Sequence, residues 1–258
     1  MPFTLDFALK TDPGQVRPLN EDAVGADPDA GLFILADGLG GYNAGEIAST
    51  MAVSTLLAEL PCALGSARQA GTVFDPARVL RERLIAMNST IFRAALNSSA
   101  FEGMATTIVV AWLLGDRLWL AHAGDSRAYR MRRGQLEQMT RDHSFSQELL
   151  DAGMVTEEEA RLLPAKNLVT RALGASAEID PEVHDYPIEA GDLLLLCSDG
   201  LTEMINAAEI GGLLAAADGN VHEGARRLVD LANEAGGRDN VSVVVVGVRD
   251  ASGVPPVR

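Results

Sequence analysis

The sequence predicts an α+β fold in which antiparallel β-sheets are covered by helices. The first sign is a series of apolar or alternating runs joined by tight turns, because consecutive hairpins place strands antiparallel and argue against a doubly wound parallel sheet. The second is the presence of helix-like stretches before and after that series. The third is size: 258 residues with 47% hydrophobic content can bury one substantial core. One domain over residues 1–250 is expected, with an exposed tail over 251–258 around Val254-Pro255-Pro256.

Thr4 to Lys10 alternates and reads as a strand. Asp27-Pro28-Asp29-Ala30-Gly31 is a turn joining Ala23–Ala26 to Leu32–Ala36 as a hairpin. The Ala-, Leu- and Met-rich stretch from Ala44 to Leu60 reads as a helix. A second helix opens at Asp75-Pro76, an N-cap with proline at the first helical position, and runs to about Ser98. Two hairpins follow, Thr106–Leu114 with Arg117–Ala123, then Ser126–Arg132 with Gln135–Thr140. Ser144 to Leu163 is polar and helical and interrupts the strands, as a flap would, within a segment of about 143–171. Strands resume at Glu182–Asp185 and Leu193–Cys197, helices at Thr202–Ala217 and His222–Ala235. Val241–Val248 closes the domain as a strand buried on both faces.

The net charge of −15 argues against nucleic acid and anionic membranes, which are bound through basic patches. A phosphorylated substrate stays open, since a bound cation reverses the local field. Cys62 and Cys197 lie far apart in apolar company and read as small buried hydrophobes in a reducing compartment. The N-terminus lacks a signal pattern, and no apolar run is read as a membrane span, so a cytoplasmic protein is expected.

The chemistry lies at strand tips. Asp37 and Asp199 each end an apolar run and precede glycine, while Asp239 stands just before the last strand. A single Asp-Gly is best explained as a turn, as at Asp218-Gly219. Three such tips with acidic neighbours suggest more. If they converge, their carboxylates cannot all stay ionised without a cation, and an all-oxygen site suits Mg2+ or Mn2+. The segment Arg17-Pro18-Leu19-Asn20-Glu21-Asp22 adds two acids and one guanidinium whose fork matches phosphate.

The stretches RPLNED, ADGLGG with Gly45-Glu46-Ile47-Ala48 behind it, GMATTIVV, AHAGDSRAYR, MTRDHS, TRALG, LLLLCSDGLTE and GGRDNVSVVVV occur in one order. Together they resemble the motif series of the metal-dependent type 2C serine/threonine protein phosphatases in their compact bacterial form, from Arg17 to Val246. The resemblance implies a four-layer α-β-β-α sandwich with a two-metal site at one edge. Asp37 would bridge two Mn2+ or Mg2+ ions, the Gly38 carbonyl would bind the second, and Asp199 and Asp239 would hold the first. Glu21 and Asp22 would support the site, through water or by holding its ligands. Arg17 would hold the phosphate. Asp125, with Asp199, would bind a third, weaker ion. The implied activity is hydrolysis of phosphoserine and phosphothreonine on proteins by in-line attack of a metal-bridging water, opposing a bacterial Ser/Thr kinase of the eukaryotic type. A monomer is expected.

One departure stands out. Many eukaryotic relatives carry histidine after the first Asp-Gly as a proposed general acid, and Leu39 stands there. His143 is a candidate replacement, but Asp142-His143-Ser144 reads equally as a structural motif in which Ser144 caps the flap helix. Four other readings fit less well. GLGGYNAG fails the dinucleotide spacing at Asn43, and ADPDAG would put Gly38 where a calcium loop needs a bidentate Glu. Cys197-Ser198 lacks the arginine-rich cradle of a cysteine phosphatase. A phosphopeptide-binding module without catalysis would need a lost ligand, yet all three aspartates are present.

Overall fold

The computed structural model describes residues 2–40, 44–163 and 168–251. Of the tail expected over 251–258, residues 252–258 lie outside them, as do residues 41–43 of the glycine-rich stretch. Strands β1 (Phe3–Asp12), β2 (Asp22–Asp27) and β3 (Leu32–Leu39) lead into helices α1 (Ala44–Ala70) and α2 (Pro76–Asn97). Then come β4 (Ala105–Thr106), β5 (Ile108–Leu114), β6 (Arg117–Ala123), β7 (Arg127–Arg132) and β8 (Gln135–Gln138). Short helices α3 (Phe145–Asp151) and α4 (Glu157–Leu162) precede β9 (Glu182–Pro187) and β10 (Leu193–Cys197). The chain ends with α5 (Asp199–Thr202), α6 (Ala207–Ala216), α7 (Val221–Glu234) and β11 (Val241–Asp250).

One sheet has the order β1-β11-β10-β7-β8, the other β2-β3-β5-β6-β9 with β4 added beside β3, and every pairing is antiparallel. The sheets stack face to face, and side-chain period two sorts their residues into layers. Phe33 and Leu35 point between the sheets with Leu194, Leu196, Val244 and Val246. Leu32, Ile34 and Ala36 point the other way, onto α1 and α2. Leu193, Leu195, Val243 and Val245 face α6 and α7. The result is the four-layer α-β-β-α sandwich, with strands that are apolar on both faces because both are covered.

The element boundaries bring corrections. Helix α1 does not stop at Leu60 but continues through Pro61 to Ala70. Ala63 and Leu64 still pack on the core, and that burial outweighs the hydrogen bond a proline removes. By length and composition α1 could cross a membrane, contrary to the sequence reading. Its apolarity has a local use, because Ala44, Ala48, Ala52, Leu56 and Leu60 bury against the β2–β3 sheet. Cys62 is exposed, since it lies two residues from buried Leu60 and so on another side of the helix; Cys197 is buried as expected. The helix expected over Thr202–Ala217 is two helices, because Asn206 caps α6 with Glu209 in a reciprocal capping box. The flap likewise splits into α3, capped by Ser144, and α4, opened by the Thr156–Glu159 capping box. The strand expected over Thr106–Leu114 breaks at Thr107, between β4 and β5.

Candidate metal centre

Antiparallel pairing gathers the acids. The start of β2 lies beside the end of β3, so Asp22 stands opposite Asp37 in the register. The end of β10 lies beside the start of β11, which brings Asp199 and Asp239 to the same edge of the other sheet. Two polar side chains tie these edges together. Ser198 Oγ donates to Asp22 Oδ2 at 2.9 Å and accepts from the Ser242 amide at 2.9 Å. Asn240 accepts from the Glu21 amide at 2.8 Å and donates to the carbonyls of Leu19 (2.8 Å) and Pro13 (3.0 Å).

Glycines let the backbones meet. A Cβ on Gly38 would fall 2.3 Å from the Gly45 carbonyl oxygen and 2.6 Å from that of Glu21. One on Gly200 would fall 2.0 Å from the Asn240 carbonyl oxygen. The Asp-Gly pairs therefore serve close approach of a second segment as well as turn geometry. Asp37 is held by its own backbone: the Thr106 hydroxyl and the Thr107 amide both donate to its carbonyl at 2.8 Å, and its amide donates to Thr107 Oγ1 at 3.0 Å. Thr107 Oγ1 in turn shares a 2.7 Å hydrogen bond with Ser126 Oγ, next to Asp125.

The electrostatics are those of acids crowded without a counter-charge. Burial holds the Asp37 carboxyl well above the usual range, and Asp22, Asp199, Asp125 and Asp239 push it further. Asp199 is raised in the same way by burial and then by Asp125, Glu203, Asp239 and Asp22. Burial lifts Asp125 to about 7 and Asp22 to about 6, and raises Glu21 as well. Glu21 Oε1 and Asp22 Oδ1 are buried with no hydrogen-bond partner among the described residues. Unpartnered anionic oxygens in such a place are costly unless a cation joins them. The donor set is carboxylate oxygen throughout, which fits hard divalent ions such as Mg2+ or Mn2+.

The structure thus brings together Glu21, Asp22, Asp37, Asp125, Asp199 and Asp239, with Gly38 at the seam. Arg17 sits at the rim, exposed, with Nη2 2.7 Å from Asp239 Oδ2. Leu39 is half-buried, pairs with Ala105 and offers no proton. A cavity of about 900 Å3 opens beside Asp125 and Asp199, walled by flap residues such as Ser146 and Leu150 and by Glu203 and Asn206 across from them. Asp27 and Asp29 lie in the hairpin turn, where Asp27 Oδ1 accepts from the Ala30 amide at 3.0 Å. Ser198, Asn240, Thr106, Thr107 and Ser126 were not anticipated from the sequence. Their one visible signal is polarity inside or at the end of apolar runs, as in MATTIVV and RDNVSVVVV.

Comparison with known proteins agrees with this picture. The family model for protein phosphatase 2C matches residues 15–234. The chain is 41% identical over 248 residues to the serine/threonine protein phosphatase PstP of Mycobacterium tuberculosis, covering 96% of this chain and 46% of that protein, so it spans less than half of that relative's length. It is 37% identical over 252 residues to protein phosphatase PhpP of Streptococcus pneumoniae, covering 95% of this chain and 98% of that one. Among solved structures it superimposes on mycobacterial PstP with TM-score 0.82 at 39% identity, over 95% and 99% of the two chains. It also superimposes on the PstP catalytic domain in complex with two manganese ions, with TM-score 0.80 at 39% identity, over 96% and 100%.

Proposed function

The chain belongs to the protein phosphatase 2C family, and from that premise we propose that it hydrolyses phosphoserine and phosphothreonine on proteins with divalent cations at the Asp37–Asp199–Asp239 edge. The observation that carries the reading is the meeting of six carboxylates from both sheets at one end of the sandwich, two of them with orphaned buried oxygens. Asp37 and the Gly38 carbonyl would help hold the ions. Asp199 and Asp239 would hold the first ion, while Glu21 and Asp22 steady the pair. Asp125 with Asp199 would take a third. Bound Mn2+ or Mg2+ would supply activation of a water for attack on phosphorus and neutralise charge on the phosphoryl group.

The chain's own groups supply the positioning. Rigid strand ends aim the carboxylates, and Thr106 and Thr107 lock the backbone of Asp37 so that its side chain need not be ordered on binding. Arg17 would exchange its contact with Asp239 for the substrate phosphate, a swap favoured once the cation neutralises Asp239. The cavity between the flap and the Glu203–Asn206 segment gives the protein part of the substrate a place beside that phosphate. The same proposal includes opposition to a Ser/Thr kinase acting on the same proteins, in a reducing cytoplasmic setting supported by the unpaired Cys62 and Cys197.

The test is hydrolysis of p-nitrophenyl phosphate and of a phosphothreonine peptide with Mn2+, with and without EDTA. Turnover should vanish on chelation and in Asp199→Asn. Activity that survives EDTA would sink the reading.

A further inference from the structure

His143 and Gly124 are joined twice. The His143 amide donates to the Gly124 carbonyl at 2.9 Å, and the Gly124 amide donates to His143 Nδ1 at 3.1 Å. A backbone amide is an obligate donor, so Nδ1 carries the lone pair and the ring proton is on Nε2. Nε2–H then donates to Glu182 Oε1 at 3.1 Å; Arg171 Nη1 lies 3.2 Å from the same Nε2 but, being a donor as well, makes no hydrogen bond with it and donates instead to the Asp180 carbonyl at 2.9 Å. His122 stacks flat on this ring, centroids 4.7 Å apart, and its Nε2 bonds the Arg141 carbonyl at 2.8 Å. The three side chains His122, His143 and Glu182 resemble a cation site. They do not make one, because the proton on His143 Nε2 blocks that donor and two parallel rings cannot aim their lone pairs at one ion.

What the double contact does is join two functional segments. Gly124 holds φ +115° against Thr107, a conformation restricted to glycine, and the next residue is Asp125. On the other side, His143 begins the flap: its carbonyl accepts from the Thr170 amide at 2.9 Å, closing the flap's two ends together. We propose that His143 is a positioning residue, a latch whose Nδ1 holds the Gly124–Asp125 turn in the conformation that presents Asp125 to a cation, and so ties that cation's affinity to the flap. This rests on the reading of Asp125 as a cation ligand.

Two substitutions separate the latch from mere packing. The side-chain amide of His143→Asn can place an acceptor where Nδ1 is but cannot reach Glu182. That of His143→Gln can reach toward Glu182 but leaves the Gly124 amide without its acceptor. Amide hydrogen exchange at Gly124 and Asp125, followed on the metal-free protein, should be slow in the parent and in His143→Asn and at least tenfold faster in His143→Gln. Calorimetric Mn2+ titration should show the weakest binding step lost or weakened at least tenfold in His143→Gln, in Asp125→Ala and in neither other protein. Equal exchange in the two His143 variants would overturn the latch. An unchanged titration in Asp125→Ala with the exchange pattern intact would overturn instead the role of Asp125 and with it the tie to cation affinity.

Discussion

Asp239 faces two claims on one carboxylate. It holds Arg17 at 2.7 Å in the structure and is the ligand the cation would take. The pair is half exposed, so Arg17→Ala should change stability by less than about 1 kcal/mol. Its effect should fall on substrate: KM for small phosphomonoesters should rise several-fold to about tenfold with kcat changed less. An unchanged KM in steady-state kinetics would remove Arg17 from the phosphate site. Gly200 is the opposite case, where function hardly enters. Any side chain there meets the Asn240 carbonyl at 2.0 Å, and neither backbone can yield, so Gly200→Ala should lower stability by about 2–3 kcal/mol and Tm by roughly 5–10 °C. A melting curve matching the parent would contradict that packing. Asp37, Asp199 and Asp239 were legible in the sequence, because an acid at the tip of an apolar run stands out against its neighbours, whereas Asp125 was reached only through the family resemblance. Ser198 and Asn240 were not. Ser198 is 176 residues from its partner Asp22, and no local pattern announces a bond across that distance.

At the level of elements, hairpins were easier to read than helices. Each hairpin carries its own punctuation, as at Gly115-Asp116 and Arg133-Gly134, where Gly115 takes φ +66° and both residues of the second pair take positive φ. The α2 boundary was equally plain, because Asp75 accepts from the Arg78 amide and Pro76 follows it. The errors fell where packing or a cap overrode the obvious signal. The helix read as ending at Leu60 continues through Pro61, since the turns beyond it still pack Leu64 on the core. Thr202–Ala217 looked continuous but is divided by a cap. Asn206 Oδ1 accepts from the amides of Ala208 and Glu209 at 2.9 and 3.1 Å, and Glu209 Oε2 accepts in return from the Asn206 amide at 2.8 Å. Asn206→Ala should therefore cost about 1 kcal/mol in urea denaturation, with the two-state slope unchanged. A cost near zero would mean that burial of Ile210 and Leu214 alone places α6.

Across the whole molecule, the acid cluster sets how stability should respond to pH and metal together. Metal-free, Asp22 and Asp125 are raised by burial to about 6 and about 7 from an ordinary 3.8, and burial with the neighbouring carboxylates holds Asp37 and Asp199 well above the usual range too. For an acid raised on folding, the folded state holds the extra proton. Its contribution is full below about pH 3.8 and is lost as pH rises from there through the folded value, the loss being complete near pH 6 for Asp22 and near pH 7 for Asp125. Buried His122 works in the other direction. Burial lowers it from 6.5 to about 4, so its contribution is full above pH 6.5 and is lost as pH falls toward 4. A single melting curve against pH would mix the two. The difference between Mn2+-loaded and EDTA-treated protein does not, because His122 is common to both. Mn2+ held there would remove the repulsion among the carboxylates and compete with protons for them, so the rise in Tm on adding Mn2+ should be large near pH 8 and small near pH 5.5. Asp199→Asn should flatten this dependence, since it deletes at once an acid that is raised on folding and a carboxylate proposed to hold the ion. A metal-induced shift equal at both pH values in the parent protein would mean that the carboxylates are not the groups that receive the ion.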